Sequence, residues 1–161
     1  MEAMRSIMHR LKLTVNEEKT HVCRLPDESF DFLGYTFGRC YSTKTGFRFI
    51  GQRPSKKKIM AICRRISELT SANWCWLDAE EQVGRLNRVM VGWSNYFCQG
   101  PVNKAYRRIN NHARQRVRQW LRRKYKLRGW SYTRFSGEYL HDELGLAQLR
   151  LSDRNVSWVN A

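Results

Sequence analysis

The strongest constraint on this chain is a set of apolar residues recurring every three or four positions between Ile59 and Leu121. Ile59, Ile62, Cys63, Ile66 and Leu69 make a first run, and Val83, Leu86, Met90, Trp93 and Phe97 a second. Tyr106, Ile109, Ala113, Val117, Trp120 and Leu121 make a third. A 3.6-residue repeat gathers such positions on one side, so each run predicts a helix with one face to bury. Pro54-Ser55 predicts the first start, with Ser55 as cap, and Asp78 with Glu81 predicts a capping box at the second. Gly100-Pro101 predicts a stop, a third helix is expected over about Asn103–Lys126, and a short fourth near Glu138–Leu149.

The first fifty residues follow another pattern. Residues 1–12 read as the end of a helix, with Met4, Ile7, Met8 and Leu11 at helical spacing. Thr20–Leu25 predicts a short strand and Pro26-Asp27-Glu28 a turn. Phe30–Phe37 reads as a strand bent at Gly34, paired across a Thr43–Gly46 turn with a strand at Phe47–Ile50. The expected class is therefore α+β: a short antiparallel hairpin packed on a mostly helical, three-helix region. The expected divisions are 1–52, 53–149 and a tail at 150–161.

Charge says what such a body meets. The 161 residues carry a formal net charge of +16, and the excess is uneven. Gln82–Gly137 contains 14 Lys and Arg and no acid; Phe32–Ser67 contains nine and no acid. A compact body with that excess repels itself, which makes a polyanion the natural partner. An acidic membrane surface is the main competing polyanion, but no apolar run is long enough to span a bilayer and no membrane partner is expected. The five cysteines are odd in number and none form C-x-x-C, which argues against a zinc ribbon or a disulfide framework. No metal site is expected, and a reducing cytoplasm fits best. His112 and His141 read as surface or packing residues, and Cys63 and Cys98 as small core residues.

Three segments, in order, resemble the group II intron reverse transcriptases/maturases. LKLTVNEEKT, Leu11–Thr20, is similar to the L-x-L-x-N-x-x-K-T signature that follows the catalytic strand of the palm. FDFLGYTF, Phe30–Phe37, resembles the F-x-F-L-G-[FY]-x-F strand after it. LNRVMVGWSNYF, Leu86–Phe97, resembles the L-N-x-x-[LM]-x-G-W-x-N-Y-F helix of the thumb, or maturase, region. The resemblance implies that Phe32, Leu33 and Gly34 form a primer grip; sheet core is the other reading of Phe30, Phe32 and Phe37. It implies that Lys19 assists departing pyrophosphate in a complete polymerase, an ion pair with Glu17 or Glu18 being the alternative. Within Gly92, Trp93, Asn95, Tyr96 and Phe97, Trp93 and Phe97 are expected in the core. Gly92 is expected to admit a neighbouring helix, and Asn95 and Tyr96 to hydrogen-bond within the thumb or to RNA.

The same resemblance implies binding of group II intron RNA and of a template–primer duplex, in support of splicing and reverse transcription. Contact is expected at Lys56, Lys57, Lys58, Arg64, Arg107, Arg114, Arg118, Arg122, Arg123 and Lys124. No Asp-Asp pair occurs in the sequence, so the Y-x-D-D metal turn has no counterpart and the chain alone is not expected to be an enzyme. No cofactor is expected; Mg²⁺ would belong to a complete polymerase or to the intron RNA. The rival expectations are part of a split reverse transcriptase that works with a separate palm/fingers chain, an inert remnant, and a general DNA-binding protein.

Overall fold

The structure, a computed structural model, describes residues 2–14, 16, 22–42, 45–127 and 134–151. The three apolar runs form three helices, α2 (Lys56–Leu69), α3 (Ala79–Tyr96) and α4 (Asn103–Lys124); α1 (Glu2–Arg10) precedes them. Ile62 and Ile66 of α2, Leu86 and Met90 of α3, and Ile109, Val117 and Trp120 of α4 share one core. Burying each such side chain contributes about 1.5–3 kcal/mol. Ser55 caps α2, its hydroxyl accepting from the Lys58 amide at 3.3 Å. Asp78 occupies the cap position of α3, but its side chain makes no capping bond there, so the expected capping box does not form. α3 ends at Tyr96, four residues before Gly100, and α4 ends at Lys124.

The helix expected near Glu138–Leu149 is instead one π-helical turn, Tyr139–Glu143, followed by chain that is neither helix nor strand. Two buried or half-buried asparagines explain the difference. Asn87 donates to the Gly145 carbonyl and accepts from the Ala147 amide, both at 2.8 Å. Asn110 donates to the Leu149 carbonyl at 2.9 Å and accepts from its amide at 3.0 Å. Backbone groups held by these side chains are not available to a helical ladder. The clips seat Leu146 and Leu149 in the core, which therefore reaches to residue 149.

The strands β1 (Phe30–Phe32), β2 (Tyr35–Tyr41) and β3 (Arg48–Pro54) form an antiparallel meander in that order. Phe30–Phe37 is thus not one bent strand. Phe32 pairs with Tyr35 across a two-residue turn in which Leu33 and Gly34 have φ +49° and +86°. Two left-handed residues match the twist of the flanking strands. Nor do Val22–Leu25 form the expected strand: the Arg24 amide donates to the Glu28 carboxylate and the Glu28 amide to the Arg24 carbonyl, closing a local turn. Lys19 and the tail from 152 onward lie outside the described residues.

The sheet meets the helices at one end. The Gly34 carbonyl accepts from the Ser55 amide at 2.9 Å. Gly100, at φ +77°, stands so close to β3 that a Cβ there would lie 1.9 Å from the Gln52 carbonyl oxygen. Gly92 differs, since a Cβ on it meets nothing within 4 Å among the described residues; no described helix approaches it, contrary to expectation. Gly100→Ala is therefore expected to destabilise the protein by about 2 kcal/mol or more through backbone strain and the clash. Gly92→Ala, in an open helix position, should instead stabilise it by about 0.5–1 kcal/mol, as thermal unfolding of the two variants would reveal.

Candidate nucleic-acid interface

The two sequence segments that lie farthest apart in character come together at an aromatic joint. Tyr35, two residues after Leu33, donates its hydroxyl to the Tyr96 carbonyl at 2.7 Å. Tyr96 returns the contact, its hydroxyl donating to the Leu33 carbonyl at 2.9 Å. Phe97 is buried between them and the body, 5.1 Å from the Tyr35 ring and 4.5 Å from Trp93. Tyr106 of α4 completes the joint by donating to the Phe97 carbonyl at 3.0 Å. Burial pushes the Tyr106 phenol up to about 12 and raises that of Tyr35 as well, so both remain O–H donors. Tyr96 thus hydrogen-bonds to the glycine turn, whereas Asn95 is exposed and has no partner among the described residues. Phe32 and Leu33 stand exposed on the turn, 58% and 67% respectively, so Phe32 is not sheet core. Phe30, at the exposed edge, stacks on Phe37.

Beside this joint, α2 and α4 run together and leave an open groove of about 640 Å³. Arg64 lines it from α2, and Lys104, Arg107 and Arg108 line it from α4. Arg107 and Arg108 each lie about one turn beyond Lys104 on α4, at i+3 and i+4, which brings the three to one face. None of the four has an ion-pair partner among the described residues. Uncharged Met60, Asn111 and Gln115 complete the wall. The floor is fixed by His112. The Cys63 carbonyl can only accept, so the His112 Nε2, 2.9 Å away, carries the hydrogen, with the Ser67 hydroxyl also at 2.9 Å. Burial holds the His112 pKa below its ordinary 6.5, and the Arg116 and Arg108 charges push the same way against the Cys63 hydrogen bond.

The ten basic residues singled out from the sequence do not form one surface. Arg64 and Arg107 share the groove, while Lys56, Lys57 and Lys58 are exposed in the first turn of α2. The Lys58 stem lies over Gly34, within about 3.1 Å of where a Cβ would be, and so joins that turn to the helix start. Arg122 and Arg123 are exposed at the far end of α4. The other three are tied to the fold: Arg114 donates to Asn111, Arg118 to the Phe135 carbonyl at 2.7 Å, and Lys124 to the Leu77 carbonyl at 2.6 Å. Helical spacing puts Arg114, Arg118 and Arg122 on one side but does not reveal that the Phe135 carbonyl lies beneath Arg118. Lys104, Arg108, Asn111 and Gln115 were missed because the groove belongs to two helices, and only their packing defines it. The i, i+3, i+4 spacing of Lys104, Arg107 and Arg108 was the available signal.

Arg116 has a different task. Its guanidinium donates to the Thr70 hydroxyl and the Ser67 carbonyl, both at 3.0 Å, at the end of α2 where carbonyls lack helical partners. The Thr70 hydroxyl donates to the Ile66 carbonyl at 2.7 Å, and Gln82 of α3 donates to the Leu69 carbonyl. Two neighbouring helices therefore cap the third, and a cation sits at its negative pole.

Arg116→Gln should cost about 1–3 kcal/mol, the penalty of stranding half-buried acceptors. Arg107→Gln, at an exposed position, should stay within about 0.5 kcal/mol by denaturant titration. The His112 shift fixes a sign for pH dependence. The unfolded chain binds a proton more readily than the folded one, so stability is present above 6.5 and is lost as pH falls below it towards the folded pKa. The melting temperature of wild type is expected to fall across that window more steeply than that of His112→Gln.

Among the described residues no helix is long and apolar enough to cross a membrane, and no group of three His, Cys, Asp or Glu is arranged to hold a metal. In comparison with known families, residues 59–136 match the family described as group II intron, maturase-specific domain. No curated protein matches the chain.

Proposed function

From the match of residues 59–136 to the group II intron, maturase-specific domain, we propose that the chain binds structured group II intron RNA through its helical region. It thereby supports splicing, and in an assembled polymerase it also holds the template–primer duplex for reverse transcription. Residues 53–149 would be the thumb/maturase region and 1–52 the end of a palm, with Phe32-Leu33-Gly34 as a primer-grip-like turn. A maturase-specific domain is not itself a polymerase active site, and the chemistry of splicing would belong to the RNA and its metals.

The observation that carries this reading is the unpaired positive charge. Arg64, Lys104, Arg107 and Arg108 converge on an acid-free groove. Lys56, Lys57 and Lys58 stand in the first turn of α2, where no acid accompanies them and the helix dipole opposes them. A polyanion relieves both costs and releases its own counterions. A second reading has a specific observation behind it. Ile7, Phe32, Leu33, Phe47 and Ile50 are each more than half exposed on α1 and around the sheet. Apolar surface of this kind favours a palm/fingers chain bearing Y-x-D-D as a further partner.

Binding of the chain to labelled group II intron RNA, competed with duplex DNA over a salt series, tests the proposal. Four or more cations engaged predicts a log–log salt slope of about −3 or steeper. Preference for the intron RNA is the expected result; equal affinity for duplex DNA would reduce the chain to a general polyanion binder.

A further inference from the structure

We propose that the groove between α2 and α4 receives an unpaired RNA segment, with its backbone on the arginines and lysine and its bases against the uncharged wall. The inference rests on the RNA-binding reading above and names the element of the RNA that is bound.

The first argument is shape. Helices packed side by side have axes only about 8–10 Å apart, so the hollow between them takes a single strand and not the width of a duplex. At about 640 Å³, the groove falls within the roughly 300–1,000 Å³ of sites that enclose a small organic molecule. That suits one or two nucleotides, not an extended helix.

The second argument is the mix of chemistry that lines the groove. Arg64 stands on the α2 side, with Lys104, Arg107 and Arg108 on the α4 side, and together they match a sugar–phosphate backbone. The same groove is lined by the amides of Asn111 and Gln115, further along α4, and by the thioether of Met60 on α2, which is 48% exposed. Amides can bind phosphate oxygens too, but a face meant only for phosphates has no use for an open thioether beside them. Unpaired bases do, because their edges are free to hydrogen-bond and their faces to pack. Asn111 is oriented for this. Its Oδ1 accepts from Arg114, which leaves the NH₂ to donate.

The third argument is rigidity. The His112 bonds to α2 and the Arg116 bonds to Ser67 and Thr70 hold the two helices together beneath the groove. The site therefore exists before the ligand arrives, which limits the ordering cost of binding.

The test uses the full chain and two RNAs of equal length and charge, one a perfectly paired hairpin stem and one with a central unpaired bulge. Wild type should prefer the bulged RNA by about tenfold. Arg107→Gln/Arg108→Gln/Asn111→Ala should lose that preference and flatten the salt slope for the bulged RNA by about 1.5, at roughly 0.7 per single-strand phosphate contact. Arg122→Gln/Arg123→Gln, outside the groove, should weaken both RNAs alike and keep the preference. Peptide-resolved alkylation of Cys63, on the groove wall, supplies a readout free of substitutions. Bulged RNA at about ten times its Kd should slow it about tenfold. If wild type binds both RNAs equally, if the groove variant keeps the preference, or if bound RNA leaves Cys63 unprotected, the groove inference falls while RNA binding stands. If neither RNA is bound at all, the functional reading falls with it.

Discussion

The exchange of hydrogen bonds between Tyr35 and Tyr96 is the interaction on which the arrangement of the molecule depends. Each tyrosine donates to a backbone carbonyl of the other's segment, and Phe97 fills the space between the rings. The other ties between the sheet and the helices are few: the Ser55 amide on the Gly34 carbonyl, the Gln52 amide on Gln99, and the close approach of Gly100 to Gln52, while β1 is exposed along its length. Net hydrogen bonds of about 0.5–1.5 kcal/mol each become decisive when so few tie two parts together. The joint also sets the height of the Leu33-Gly34 turn above α2, and with it the position of Lys58.

A second economy governs the basic residues. A long basic side chain can serve a ligand or a backbone carbonyl, and this fold divides them between the two. Arg116, Arg118 and Lys124 end on carbonyls at helix and loop termini, whereas Arg64, Lys104, Arg107 and Arg108 end in an open groove. High positive charge therefore does not translate directly into binding capacity. Part of it replaces the acids and caps that another protein would use to finish its helices. The division also accounts for how an acid-free stretch of 56 residues folds without many ion pairs.

Much of this was legible in the residues. The apolar stripes located three helices and most of their core, Ser55 marked the start of α2, and the α+β class followed. The motifs around Phe30–Phe37 and Leu86–Phe97 pointed to the family whose maturase-specific domain matches residues 59–136. What misled was local rules meeting distant partners. Asp78 and Glu81 spell a capping box that the structure does not use. Leu33-Gly34 reads as a bend because leucine rarely signals a left-handed turn residue, although two successive positive φ angles make a hairpin there. Glu138–Leu149 has the composition of a helix, but Asn87 and Asn110, some 40 to 60 residues earlier, take up its backbone groups.

The sequence by itself determined which faces are buried and which segments carry the charge, because periodicity and composition are properties of neighbouring residues. Only the tertiary structure decided which cations remain available, that Tyr96 spans to the glycine turn, and that Arg64 shares a groove with Lys104, Arg107 and Arg108. Those outcomes depend on the distance between side chains from different elements. No one-dimensional pattern encodes that distance until the helices have packed.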